Sequence, residues 1–302
     1  LDIVVDAAKT VTAVFERVYY RQSMDIVKGW NWVSSYLGES LDLATISEYA
    51  DRVVGQFDEV IRDPQYGLVG GLTELIAGQT YKVDAGRAYT STFRGRLYDT
   101  KTTPLQMHKG WNWLAYPYLE QLPVGTVITN AEEGDYLVSQ TGFTEYANGS
   151  WQGTLDEFVP GSGYLYKSVS DKALAFNFAS AANGNRVQNS SPSTTQTGVN
   201  IHRYPNTMNM TVQILQNESS VYPGAYNVYA MAGNELRGIS HSIGDFHYLT
   251  VYGNNPVEIT FIVEAKETGE SFVTTETLTF SDDVVGSRKS PFILHIGDAT
   301  GI

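Results

Sequence analysis

Lys28-Gly29-Trp30-Asn31-Trp32 and Lys109-Gly110-Trp111-Asn112-Trp113 are the same five-residue word, and together they hold four of the five tryptophans in the chain. Tryptophan is scarce enough that a word containing it twice, itself found twice, marks a duplicated unit. A second anchor follows each copy. The run from Gly70 to Tyr81 aligns with the run from Gly153 to Tyr164, matching Leu72 with Leu155, Glu74 with Glu157, Gly78 with Gly161 and Tyr81 with Tyr164. Trp30 and Trp111 are 81 positions apart and Gly78 and Gly161 are 83 apart, the drift that short insertions in surface loops produce.

Both copies read as β structure. On a strand Trp30 and Trp32 share one face and Asn31 takes the other, as do Trp111, Trp113 and Asn112. Two roles compete for these four indoles. They could stack on sugar rings, or anchor the core of each repeat, where each buries about 150–250 Å². Identical placement in both copies favours structural anchors. Asn148-Gly149, inside Phe143–Trp151, is a strong hairpin signal because both residues tolerate positive φ. Trp151, with Tyr146 across that turn, is the better ligand-binding candidate, although a cross-strand pair stabilising the hairpin is the favoured reading. Pro160-Gly161 and Gly163 punctuate the approach to the strand Tyr164-Leu165-Tyr166. A helix is expected over Leu41–Ala50 with Ser40 as its N-cap, and a shorter equivalent near Val124–Ala131.

At 302 residues the chain has room for two or three domains, and 42% hydrophobic content places it among ordered globular proteins. Twenty tyrosines with few long helical patterns argue for an all-β fold. A net charge of −13 speaks against nucleic acid as a partner. No run of 18 apolar residues is present, so no membrane insertion by a helix is expected. The absence of cysteine excludes disulfides, thiolate catalysis and cysteine-ligated zinc. No cofactor is expected either. If Ca²⁺ is held, Asp282-Asp283 and Glu132-Glu133-Gly134-Asp135 are where it would sit, but the regular Asp-x-Asp-x-Asp-Gly loop is missing and solvated turns are favoured. The histidines, His108, His202, His241, His247 and His295, carry no His-Glu-x-x-His spacing, and there is no Gly-x-Ser-x-Gly elbow. No catalytic residues are assigned, and the expectation is a protein that is not an enzyme.

The boundaries read as follows. Residues 1–23 are expected to be the remnant strand of a preceding repeat, 24–101 the first β-rich repeat and 102–178 the second. A flexible Ser/Asn/Thr/Gln linker is expected over 179–199, and an immunoglobulin-like β-sandwich over 200–302. Strands of that sandwich are expected at Met208–Leu215, Tyr226–Met231, Phe246–Tyr252 and Val257–Ala265. Whether the two repeats fuse into one globule stays open, because Gly95–Thr103 is short and lacks linker composition. A start without Met suggests a fragment or processed product.

Asp6–Arg17, alternating through Val11, Ala13 and Phe15, resembles the closing strand of divergent internalin-type repeats of bacterial surface proteins. The Gly-Trp-Asn-Trp words, Gln140-Thr141-Gly142-Phe143 with Tyr146, and Pro160–Ser168 resemble tandem modules of large secreted or cell-surface proteins of Bacteroidetes-type bacteria. Met208–Thr211, Gly233–Gly238, Leu249–Asn254 and Val285–Leu294 resemble the terminal domain that often follows them. The first copy departs from the pattern between Phe57 and Tyr66, where no Gln-Thr-x-Phe occurs. The resemblance implies an extracellular or outer-surface location and a modular architecture, and brings no enzyme activity; the role expected for such a chain is adhesion or spacing, with a glycan or a host or cell-surface protein as partner. The alternative is an accessory carbohydrate-binding region of a larger glycan-degrading enzyme.

Overall fold

The computed structural model describes residues 18–177 and 198–297. The stretch resembling an internalin-type repeat and nearly all of the expected linker lie outside them. The protein is all-β, and among the described residues its strands fall into three groups of nine. The first module holds β1 (Tyr20–Ile26), β2 (Gly29–Ser34), β3 (Leu41–Asp42), α1 (Leu43–Ile46), β4 (Ala50–Val54), β5 (Glu59–Asp63), β6 (Gly67–Gly70), β7 (Glu74–Leu75), β8 (Thr80–Ala85) and β9 (Tyr89–Gly95). The second holds β10 (Gln106–Met107), β11 (Gly110–Ala115), β12 (Leu122–Pro123), α2 (Val124–Val127), β13 (Tyr136–Ser139), β14 (Phe143–Ala147), β15 (Ser150–Gly153), β16 (Glu157–Phe158), β17 (Gly163–Ser168) and β18 (Lys172–Ala173).

Their pairing is the same strand for strand. The first module forms a five-stranded sheet β2-β8-β4-β5-β6, and the second forms β11-β17-β13-β14-β15. Small ribbons repeat the match: β1 with β9 and β10 with β18, then β3 with β7 and β12 with β16. β1 begins at Tyr20, inside the stretch expected to close a preceding repeat, and pairs along its whole length with β9.

Both helices are single turns. Asp42, not Ser40, caps α1: its carboxylate accepts the Ala44 N–H at 2.9 Å. Ser40 cannot serve, because Leu41 and Asp42 are committed to pairing with Leu75 and Glu74. The helix ends at Ile46, so the apolar spacing Leu43, Ile46, Ala50 reflects one turn followed by a strand, with all three side chains in the same core. α2, expected to be shorter, has the same four-residue length.

Each module packs one face of its sheet into a core of its own. In the first, Val33, Val53, Val60, Tyr81 and Val83 meet Met24, Ile26 and Phe93 of the β1–β9 ribbon and Leu43 and Ile46 of the helix. In the second, Leu114, Leu137, Tyr164 and Tyr166 meet Val124, Val127 and Phe158. Among the described residues no helix is long and apolar enough to cross a membrane.

The C-terminal unit holds β19 (Asn206–Gln216), β20 (Ser219–Ser220), β21 (Tyr226–Ala232), β22 (Glu235–Ile243), β23 (Phe246–Gly253), β24 (Glu258–Ala265), β25 (Ser271–Thr279), β26 (Val284–Val285) and β27 (Phe292–Ile296). It is a β-sandwich made by curling one path, β20-β19-β23-β22-β21-β24-β25, with β26 and β27 added in parallel to β19 and β25 lying against β27. Alternation sorts its side chains. Met208, Met210, Leu249 and Val251 fill the sandwich core. On β23 the intervening Tyr248 and Tyr252 are buried outside that core and reach the modules. β22 escapes the sequence pattern because it carries a bulge at Arg237, opposite Ala230 and Met231 of β21, which breaks its period-two signal.

Candidate functional site

The repeated word is explained first by its own backbone. Gly29 and Gly110 sit at φ +93° and +100°, a region that favours glycine, and turn the chain into β2 and β11. The next residues lock that turn. Asn31 Nδ2 donates to the carbonyls of Val27 at 2.8 Å and Gly29 at 2.7 Å, while its Oδ1 accepts the Val27 N–H at 3.0 Å. Asn112 repeats the set with His108 and Gly110, at 2.7, 2.9 and 2.8 Å.

The tryptophans do not anchor the cores of their own repeats. Asn31 and Val33 take the inward face of β2, so the pleat turns Trp30 and Trp32 outward. There Trp32, Trp111 and Trp113 join Tyr136, Val138, Phe143 and Leu165 of the second module and Phe246, Tyr248 and Val284 of the C-terminal unit in a separate cluster. The alternation expected from the sequence holds, but the module core lies on the side of the sheet opposite the indoles.

β2 and β11 are the edge strands of their sheets, and an unpaired edge is a row of open backbone donors and acceptors. Each is closed by the other module. Gln140 accepts the Trp32 N–H at 3.0 Å and donates to the Trp30 carbonyl at 2.8 Å. Gln56 accepts the Trp113 N–H at 3.0 Å and donates to the Trp111 carbonyl at 2.8 Å. Farther along, Ser34 N–H donates to the Gly161 carbonyl at 2.8 Å and Ala115 N–H to the Gly78 carbonyl at 3.0 Å. Residue i of one copy meets residue j of the other and the converse holds, the signature of a twofold interface built within one chain. Gln56 is therefore the counterpart of Gln140, although the first copy lacks the surrounding motif. The two are 84 positions apart, within a few residues of the offsets of 81 and 83 at the flanking anchors.

The C-terminal unit docks across this interface. Trp32 Nε1 donates to the Pro205 carbonyl at 3.0 Å, and Trp111 Nε1 to Asp283 Oδ1 at 3.1 Å. Tyr252 Oη donates to the Gln140 carbonyl at 3.0 Å, and Arg288 N–H to Glu145 Oε2 at 3.0 Å. Lys82, 2% exposed, lies between two indoles, its Nζ 4.3 Å from the Trp32 ring centre and 4.8 Å from that of Trp113. It donates to Asn206 Oδ1 at 2.8 Å and is 3.9 Å from Asp282. Burial pushes the lysine down to about 8, opposed by the Asp282 charge.

The acidic clusters considered for Ca²⁺ are occupied by lysines. Asp282 faces Lys82 of the first module, and Asp283 bonds Lys167 of the second at 2.7 Å. Burial raises the Asp282 carboxyl despite Lys82. Burial acts on Asp283 too, but hydrogen bonds from Lys167, the Val284 N–H and Trp111 hold it below the usual range. Lys172 meets Glu132 at 2.9 Å and Asp135 at 2.6 Å, and Lys289 meets Glu133 at 2.8 Å. Among the described residues, no group of three or more His, Asp or Glu side chains is placed to hold a metal ion.

Tyr146 and Trp151 face each other across β14 and β15, ring centres 5.4 Å apart at 68°, flanking Asn148 and Gly149 at φ +53° and +77°. Trp151 continues onto Tyr166 at 6.2 Å and is half-buried against the second module's core. The open aromatic surface lies elsewhere, in a groove of about 610 Å³ where the modules meet, lined by Phe57, Gln79, Tyr98, Met107, His108 and Trp111. Phe57 on its rim is 84% exposed. Comparison with protein-family models and with curated protein sequences returned no match.

Proposed function

We propose that this chain is a rigid, non-enzymatic adhesion or spacer region of a secreted or surface-attached bacterial protein. The observation that carries the reading is the reciprocal glutamine clamp beneath a docked third unit. A segment that presents a neighbouring domain must transmit orientation. Here, bending between the modules breaks four glutamine hydrogen bonds and two backbone bonds at once. A net charge of −13 suits a soluble, exposed surface. Spin labels on the exposed faces of the first module and the C-terminal unit of the intact chain test it: one narrow distance distribution is expected, and a broad or multiply peaked one overturns the reading.

A second reading, an accessory carbohydrate-binding region, draws on the inter-module groove. Exposed Phe57 beside Trp111 and Tyr98 offers flat rings for sugar faces, and Gln79 and His108 offer polar groups for hydroxyls. A glycan array with wild type, Phe57→Ala and Trp151→Ala separates the two. Binding lost in Phe57→Ala and kept in Trp151→Ala supports this second reading, and silence across the array leaves the first.

A further inference from the structure

We infer that Lys82 and Asn206 form a self-catalysed isopeptide bond, tying the first module covalently to the C-terminal unit. Three functional groups meet here from three distant parts of the chain. Lys82 Nζ and Asn206 Oδ1 are 2.8 Å apart, and the amide carbon lies one C=O bond, about 1.2 Å, beyond that oxygen. That hydrogen bond holds the amine at the carboxamide, and attack needs Nζ to swing from the oxygen to the face of Cγ, to about 3–3.5 Å. Asp282 stands 3.9 Å from the same Nζ and accepts the Thr207 N–H, so one carboxyl faces the amine and is tied to the backbone next to Asn206. Trp32 and Trp113 wall the amine on two sides. The Trp32 indole fixes the Pro205 carbonyl immediately before Asn206.

The chemistry needs nothing from outside. The neutral Lys82 amine adds to Cγ of Asn206, forming the new C–N bond and a tetrahedral centre. Asp282 takes the proton that Nζ loses and delivers it to Nδ2, and the C–Nδ2 bond breaks with release of ammonia. Amine plus carboxamide become a secondary amide plus ammonia, with no change of oxidation state. Desolvation favours the uncharged amine that the first step requires. The Asp282 side chain is about half open to water, which gives ammonia a way out. The charged lysine among indoles, an expensive arrangement, is thereby replaced by a neutral amide.

The test is intact mass spectrometry of the full chain after complete unfolding, with peptide mapping. We expect a mass below that of the sequence by one ammonia, together with a branched peptide joining the Lys82 and Asn206 segments. Lys82→Arg, Asn206→Ala and Asp282→Asn are each expected to restore the full mass. The wild-type measurement decides alone if a variant fails to fold. A wild-type mass equal to the sequence mass after prolonged incubation at mildly alkaline pH overturns the inference. So does an ammonia loss that maps to a succinimide at Asn148-Gly149 or another asparagine.

Discussion

Replacing Gln140 by alanine removes the side chain that closes the β2 edge. Gln140 is 8% exposed, so water does not readily take its place. It accepts the N–H of the buried Trp32 and donates to the Trp30 carbonyl, but those two groups fare differently once it is gone. The Trp30 carbonyl keeps a partner in His202 Nδ1 at 2.6 Å, whereas the Trp32 N–H is left without one. One ordinary hydrogen bond is worth about 1 kcal/mol net, and orphaning a buried donor costs about 1–3 kcal/mol. The expected loss for Gln140→Ala is therefore about 2–4 kcal/mol. Gln56 makes the matching bonds at Trp111 and Trp113, which are less buried than Trp32 and leave room for water, so Gln56→Ala should cost about 1–2 kcal/mol. Urea denaturation followed by far-ultraviolet dichroism gives both values from the shift of the midpoint at constant slope. A Gln140→Ala chain less than about 0.5 kcal/mol below wild type, the ordinary range for an unimportant surface change, would refute the clamp.

The remaining expectations can be checked on the same preparations. Gly110→Ala should cost about 1–2 kcal/mol from its positive φ alone, with no atom near the added carbon. Gly29→Ala should cost clearly more, because its Cβ would also run into the His202 carbonyl; equal losses in thermal melts would contradict the docking of the C-terminal unit on β2. His247 is fully buried, and burial, helped by the Lys266 charge, pushes it down to about 4 from its ordinary 6.5. The unfolded chain therefore binds the extra proton first, and stability present above pH 6.5 falls as pH drops toward 4, by about 3 kcal/mol from this group. That part of the acid limb should flatten in His247→Phe, and an unchanged slope would remove His247 as its cause. Phe57→Ala should change stability by less than about 0.5 kcal/mol, since the ring is largely in water; a large loss would make Phe57 part of the fold rather than an open groove rim.

The duplication was legible because it is written in local geometry. Gly29 and Gly110 need positive φ, Asn31 and Asn112 need to reach back to their own turns, and Tyr81 and Tyr164 each receive a backbone N–H, from Ile76 and Val159, at 2.6 Å. Such demands recur in every copy and so recur in sequence. The Asn148-Gly149 hairpin was legible for the same reason. What stayed hidden depends on a surface that arrives from elsewhere in the chain. An outward Trp32 and an inward Trp32 look identical in an alternating strand, and only the arrival of second-module side chains such as Phe143 and Leu165, with Pro205 and Tyr248 of the C-terminal unit, makes the outward face dry. Gln56 carries no sequence signal, because its partner strand lies 55 residues away and its neighbours differ from those of Gln140. Asp282 and Asp283 read as a solvated acidic turn because the lysines that receive them belong to two different modules.

Amide hydrogen exchange on the intact chain, resolved at Trp32 and Trp113, tests most directly whether each indole-bearing strand is sealed by the opposite copy. Both amides should exchange as slowly as those of the core strands, with Trp32 released in Gln140→Ala and Trp113 in Gln56→Ala. Fast exchange at both positions in the wild-type protein, while β8 and β17 stay protected, would mean that the modules fold but do not dock.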